Sequence, residues 1–167
     1  KGWRFDSDMG GSALLDVGAY PVSAALSIFD EIPQITSSKL NYDKRFKIDL
    51  TGSAILDFNK NQRAFLNWGM GLAYRNELEV WGTKGILKSE LIFSKPMGHT
   101  ATIHVSDLNG IVKTELFDPS DSFVSMFDHI SSCVNSVRFR KKQYGDILKQ
   151  ATCLEKIRYP LNNERMR

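Results

Sequence analysis

Asp16 and Tyr20 stand four residues apart in the run Gly10-Gly11-Ser12-Ala13-Leu14-Leu15-Asp16-Val17-Gly18-Ala19-Tyr20-Pro21. On a helix that spacing stacks a carboxylate and a phenol on one face, one turn apart. The glycine pair just upstream lets backbone or ligand approach closely. A phenol, whose reference pKa is about 10, is an acid in hand at neutral pH; to act as a base it needs a nearby cation. The same residues also have plain structural readings. Tyr20 can pack with its hydroxyl on backbone, and an aspartate such as Asp16 is favoured near a helix start by the macrodipole. Spacing alone leaves both open.

The elements that must position this pair follow from periodicity. A helix is expected from about Ser12 to Phe29, with Leu14, Val17, Pro21, Ala24, Ala25 and Ile28 as its apolar stripe, Ser12 as N-cap and a kink at Pro21, which lacks an N–H. From about residue 36 to 117 the period changes to two. In residues 48–58 the even positions are mostly apolar, and Ala64, Leu66, Trp68 and Met70 repeat the pattern after an Asn59-Lys60-Asn61 hairpin turn. Further strands are expected near 85–88, 102–105 and 111–116, the last two split by Asp107-Leu108-Asn109-Gly110. Helical spacing returns with Phe123, Met126, Phe127, Ile130, Cys133, Val134 and Val137, N-capped by Asp121 or Ser122. A last helix from about Tyr144 is expected to turn Ile147, Leu148, Ala151, Leu154 and Ile157 inward, and residues 161–167 to fray.

Helix, strands, then helices is an α+β pattern: a mainly antiparallel open-faced sheet with helices packed on one face. The covered face would carry Leu50, Leu56, Leu66 and Val80. The open one would carry Phe65 and Trp81 among polar residues, which suggests an interface between copies of the chain. At 167 residues the chain suits one domain, over residues 1–160. Its 42% hydrophobic and 25% charged composition is that of a globular protein. A net charge of +3 is mild. The run Arg138-Phe139-Arg140-Lys141-Lys142 reads as a solvated loop between helices, so neither nucleic acid nor membrane is expected as a partner. Cys133 and Cys153 read as reduced core thiols, and a cytoplasmic location is the expectation. His99, His104 and His129 lie far apart without zinc-like spacing, so no metal is expected. No G-x-S-x-G elbow is present.

Trp3-Arg4, Gly10-Gly11 and Asp16-x-Gly18-x-Tyr20-Pro21 together resemble the second-domain signature of the glucose–fructose oxidoreductase / inositol dehydrogenase / MocA family. Arg75-Asn76-Glu77-Leu78-Glu79-Val80-Trp81-Gly82-Thr83-Lys84-Gly85 is similar to its strand–turn segment. Tyr144-Gly145-Asp146-Ile147-Leu148-Lys149-Gln150-Ala151 is similar to its closing helix. The resemblance runs from residue 3 to about 158. It implies the C-terminal, substrate-binding and oligomerising domain of an NAD(P)-dependent oxidoreductase acting on a sugar, a nucleotide-linked sugar or a cyclic diol. Members of the family commonly dimerise through the open sheet face, here that of Phe65 and Trp81.

The position of Tyr20 is often His in that family. Tyr occurs in the branch that resembles dihydrodiol dehydrogenase, xylose dehydrogenase and glucose–fructose oxidoreductase. The resemblance implies Tyr20 as proton donor and acceptor, Asp16 as its catalytic partner, and Trp3, Arg4, Gly10 and Gly11 at the substrate. NAD or NADP would be held mainly by a Rossmann domain absent from this chain, which has no G-x-G-x-x-G after a strand. Gly69-Met70-Gly71 lacks the third glycine and the helix. Ser94-Lys95-Pro96 mimics the family's lysine motif in the wrong part of the sequence. By itself the chain is therefore expected to be inactive. An assembly domain with a dead site and a sugar-binding module remain the alternatives.

Overall fold

The structure, a computed structural model, describes residues 2–160, so the C-terminal tail expected to fray lies outside the described residues. The chain divides into two compact units, one of them Ala73–Phe139 and the other formed by the residues on either side of it.

In the flanking unit a π-helical turn, Leu14–Gly18, runs straight into α1 (Ala19–Phe29). Ser12 starts the run as expected: its hydroxyl accepts the Leu15 N–H at 3.2 Å. Pro21, which lacks an N–H, follows this turn within the first turn of α1. Asp30 closes α1 in a left-handed conformation, φ 50°, its N–H on the Leu26 carbonyl. Within Ser7–Phe29 an 18-residue window reaches a mean hydropathy of 1.4. Its Leu14, Val22, Ala25 and Leu26 are buried in the core, which accounts for that content.

Strands β1 (Gln34–Tyr42), β2 (Asp49–Asp57) and β3 (Arg63–Gly69) form an antiparallel sheet in that order. The hairpin between β2 and β3 falls at Asn59–Asn61, as read, with Lys60 and Asn61 at positive φ. Alternation sets the faces. Ala54, Leu56, Leu66 and Trp68 are buried against Val22, Ala25 and Leu26 of α1 and Cys153 and Ile157 of α3 (Val137–Arg158). Ile55 and Phe65, paired across β2 and β3, point the other way. Ser38 donates to the Ile157 carbonyl at 2.9 Å, and Lys149 pairs with Asp30 at 2.8 Å; together they fasten α3 to β1 and to the end of α1.

The middle unit holds a second antiparallel sheet, β4 (Glu77–Gly82), β5 (Gly85–Glu90), β6 (Ala101–Asp107) and β7 (Val112–Phe117), in sequence order. It is followed by α2 (Ser122–Val134). Asp107 Oδ1 accepts the N–H groups of Asn109 and Ile111 to make the β6–β7 turn. Asp121 caps α2, accepting from Phe123 and Val124.

Four expectations are corrected. The strands form two sheets, not one: β3 and β4 share no ladder, so Phe65 and Trp81, 68% and 84% exposed, lie on different sheets. Val80 likewise shares no sheet with Leu56 and Leu66. Cys133, expected as a core thiol, is only partly buried, because the apolar stripe of α2 that carries it is exposed, from Phe123 through Ile130 to Val134. On α3, Ile147, Leu148 and Ala151 face out, while Cys153 and Ile157 face in. The basic run 138–142 is the first part of α3 rather than a loop, since Arg and Lys are good helix formers and the Ser136 hydroxyl accepts the Phe139 N–H.

Candidate active site

The site is anchored by a carboxylate the sequence reading passed over. Asp49, at the start of β2, is only 3% exposed. It accepts the Ser12 hydroxyl at 2.6 Å and the Leu14 N–H at 2.7 Å. The two bonds leave neither carboxylate oxygen without a donor. They fix the helix start that carries Asp16 and Tyr20 to the first residue of the central strand of its sheet. In a period-two reading Asp49 is an outward polar residue; nothing in its neighbours announces a buried one.

From that fixed start, Asp16 projects from the π turn and pairs with Arg4, Nε to Oδ2 at 2.6 Å, its side chain 21% exposed. The Arg4 guanidinium also lies 4.7 Å from the centroid of the Trp3 ring. Trp3–Phe5 is a single 3-10 turn, followed by another at Ser7–Met9. Gly10 ends the second turn at φ 80°, where only glycine is at ease. A Cβ on Gly11 would sit 2.6 Å from the Arg4 carbonyl oxygen, and the Gly11 N–H donates to the Asp6 carbonyl at 2.8 Å. The second glycine thus lets the loop fold back on the strip that carries Arg4. Tyr20, half exposed, stands on the first turn of α1.

The structure therefore gathers Trp3, Arg4, Gly11 and Asp16 by direct contact, places Tyr20 on the same continuous helix as Asp16, and leaves Gly10 at the exposed loop corner. Behind them the Trp68 indole fills the space between Gly18 and Gly52. Beside Trp3, an open cleft of about 620 Å³ is lined by Trp3, Phe5, Asp6, Arg45, Phe46 and Lys47, among others. The signal for that cleft was present in the sequence as Lys44-Arg45-Phe46-Lys47, a basic run interrupted by an aromatic.

Both sheets are antiparallel, and no βαβ unit occurs among the described residues. Among the described residues no three His, Cys, Asp or Glu side chains gather as a metal site.

A family model described as the GFO/IDH/MocA C-terminal domain matches residues 1–88, more than half of the chain. The chain belongs to that family. It is 28% identical over 155 residues to the dTDP-3,4-didehydro-2,6-dideoxy-alpha-D-glucose 3-reductase of Streptomyces antibioticus, covering 92% of this chain and 47% of that protein. To the D-xylose 1-dehydrogenase (NADP(+)) 2 of Haloferax volcanii it is 28% identical over 121 residues, covering 72% and 36%. Its fold is that of a 3-ketoreductase from Actinomadura kijaniata solved with NADP and TDP-benzene. That match has a TM-score of 0.84 at 24% identity over 94% of this chain and 48% of that one. The chain thus spans about half the length of the 3-reductases among its relatives.

Proposed function

We propose that this chain is the substrate-binding and oligomerising domain of an NAD(P)-dependent oxidoreductase that interconverts an alcohol and a ketone on a sugar-like substrate. A nucleotide-linked sugar is the leading class, given the 3-reductases among its relatives; free sugars and cyclic diols follow. The observation that carries the reading is the Arg4–Asp16 pair on the helix that bears Tyr20. A domain kept for assembly alone has no need of a carboxylate held by an arginine beside a half-exposed phenol and an open cleft.

In this reading the dinucleotide site lies in protein outside this chain, and the nicotinamide, when bound there, gives or takes the hydride at the substrate carbon. Tyr20 donates its phenolic proton to the substrate oxygen during reduction and recovers it during oxidation. Asp16, held by Arg4, accepts a hydrogen bond from a neighbouring substrate hydroxyl, while Trp3 and the Gly10-Gly11 loop border the sugar. Alone, the chain turns over nothing. With the dinucleotide-binding half present, Tyr20→Phe lowers kcat by about a hundredfold or more and leaves KM nearly unchanged; steady-state kinetics with unaltered kcat would remove Tyr20 from the chemistry.

Self-association belongs to the same proposal. It is supported by the exposed apolar residues on the two sheets, Phe65 beside Ile55 on one and Trp81 on the other. Phe65→Asp with Trp81→Asp yields monomers in sedimentation velocity; an unchanged sedimentation coefficient refutes this interface. A cytoplasmic setting is supported by both cysteines being free thiols.

A further inference from the structure

We infer that β7 pairs edge to edge with β7 of a second copy of this chain, antiparallel about a two-fold axis at Thr114, so that the β4–β7 sheets of two molecules run on as one. This contact is separate from self-association through Phe65 and Trp81 and does not depend on it.

β7 ends its sheet, and no strand lies beyond it among the described residues. The Asp107 N–H donates to the Ile111 carbonyl at 3.0 Å, which makes those two a hydrogen-bonded pair at the turn end of the β6–β7 ladder. Bonded and non-bonded pairs alternate along an antiparallel ladder. In the β6–β7 register Lys113, Glu115 and Phe117 therefore turn their backbone groups to β6, while Val112, Thr114 and Leu116 turn theirs to the open edge. Such an edge is a template for another strand, and proteins blunt it with bulges or unmatched charge. β1, an edge of the other sheet, is interrupted by register shifts. β4, the opposite edge of this one, carries Glu77 and Glu79 and no cation, so two copies of it repel. β7 has neither defence: its register is unbroken and its two charges are of opposite sign.

The order of residues selects the partner. Ile111-Val112-Lys113-Thr114-Glu115-Leu116-Phe117 is complementary to its own reverse: two apolar residues, a cation, a threonine, an anion, two apolar residues. With the axis at Thr114, Lys113 lies opposite Glu115 of the second copy, Val112 opposite its Leu116, and Ile111 opposite its Phe117. The open backbone groups of Val112, Thr114 and Leu116 meet their like in that register. Moving the axis one residue either way centres the pair on Lys113 or on Glu115 and sets like charges face to face. Lys113 and Glu115 already pair within the chain at 2.8 Å, so the joined strands carry a ring of four alternating charges. Ile111, Val112, Leu116 and Phe117 are exposed, and each gains an apolar neighbour across the axis.

The ladder is short and buries less than a standard interface, so it forms at protein concentrations above about 100 µM. Sedimentation velocity over a concentration series reads it as a rise in sedimentation coefficient at the upper end. Lys113→Glu and Glu115→Lys each set like charges face to face and weaken that step by about tenfold or more. An equimolar mixture of the two variants restores it, because each acidic pair then meets a basic one; a change confined to the fold of one chain is not rescued by mixing. Thr114→Pro, which removes an outward N–H, abolishes the step with an unchanged circular dichroism spectrum. At high concentration, amide exchange of the parent read by NMR slows at Val112, Thr114 and Leu116 but not at Lys113 or Glu115. The Phe65→Asp, Trp81→Asp protein, monomeric at micromolar concentration, keeps the step, which separates the two contacts. No rise in the parent, an undiminished rise in either single charge variant, or a mixture that stays dissociated overturns the edge pairing.

Discussion

Asp49 shows how much a single buried side chain can decide. With Ala in its place, the Ser12 hydroxyl and the Leu14 N–H lose their buried acceptor, at a cost of about 1–3 kcal/mol. Asp49→Ala is therefore expected to lower the unfolding free energy by that amount, read as a lower denaturant midpoint, and to loosen the helix start that presents Asp16. The two thiols separate at the same scale. Cys153 is fully buried, and loss of solvation pushes its thiol up to about 11 from an ordinary 9.0. Cys133 is only partly buried. One thiol per chain, Cys133, should react with a disulfide reagent at neutral pH in the native state, and two after denaturation. Because the folded state holds the Cys153 proton more tightly, that preference is intact below pH 9 and is lost as pH rises toward 11. Cys153→Ala should flatten the stability–pH curve in that window, as read by denaturant titration.

Among the elements, the π turn and the strand beneath it are matched through Trp68. A Cβ added at Gly52 would lie 2.5 Å from Cζ2 of that indole, and one at Gly18 would lie 3.0 Å from its ring. The ring is wedged between helix and sheet, with its Nε1 buried and without a hydrogen-bond partner among the described residues. Gly52→Ala should destabilise by about 1–3 kcal/mol, and Gly18→Ala by less. Equal, negligible shifts in chemical denaturation would show that the indole can move aside. The sequence reading caught Gly18 as a motif residue, while its packing reason appears only when β2 and β3 are paired and Gly52 faces Trp68.

Across the whole molecule the buried apolar side chains are concentrated in one of the two units. Among the described residues, every fully buried hydrophobic group falls before residue 73 or after residue 139. In the middle unit only Ser89 reaches that degree of burial. Protection from hydrogen exchange follows buried contacts. Amides of β4–β7 and α2 are thus expected to exchange faster than those of β1–β3 and α1, as native-state exchange read by mass spectrometry would show. Equal protection would mean that the exposed stripe of α2 is covered in solution.

The sequence by itself determined the order of the helices and of strands β2 to β7, the hairpin at Asn59–Asn61, the caps at Ser12 and Asp121, and the placement of Asp16 and Tyr20 on one continuous helical run, but not strand β1. These rest on local rules: which residues lack a donor, tolerate positive φ, or recur at a helical or strand period. Tertiary structure decided what local rules cannot reach. It joined Arg4 to Asp16 across twelve residues, buried Asp49 against a helix start 35–37 residues away, and divided the strands into two sheets. It also chose which face of α3 is inward: the period allows Ile147, Leu148 and Ala151, but contact with β1 and α1 selects Cys153 and Ile157. The physical reason is that hydrophobic burial is non-directional, so which of two apolar faces is covered depends on the surface that arrives against it.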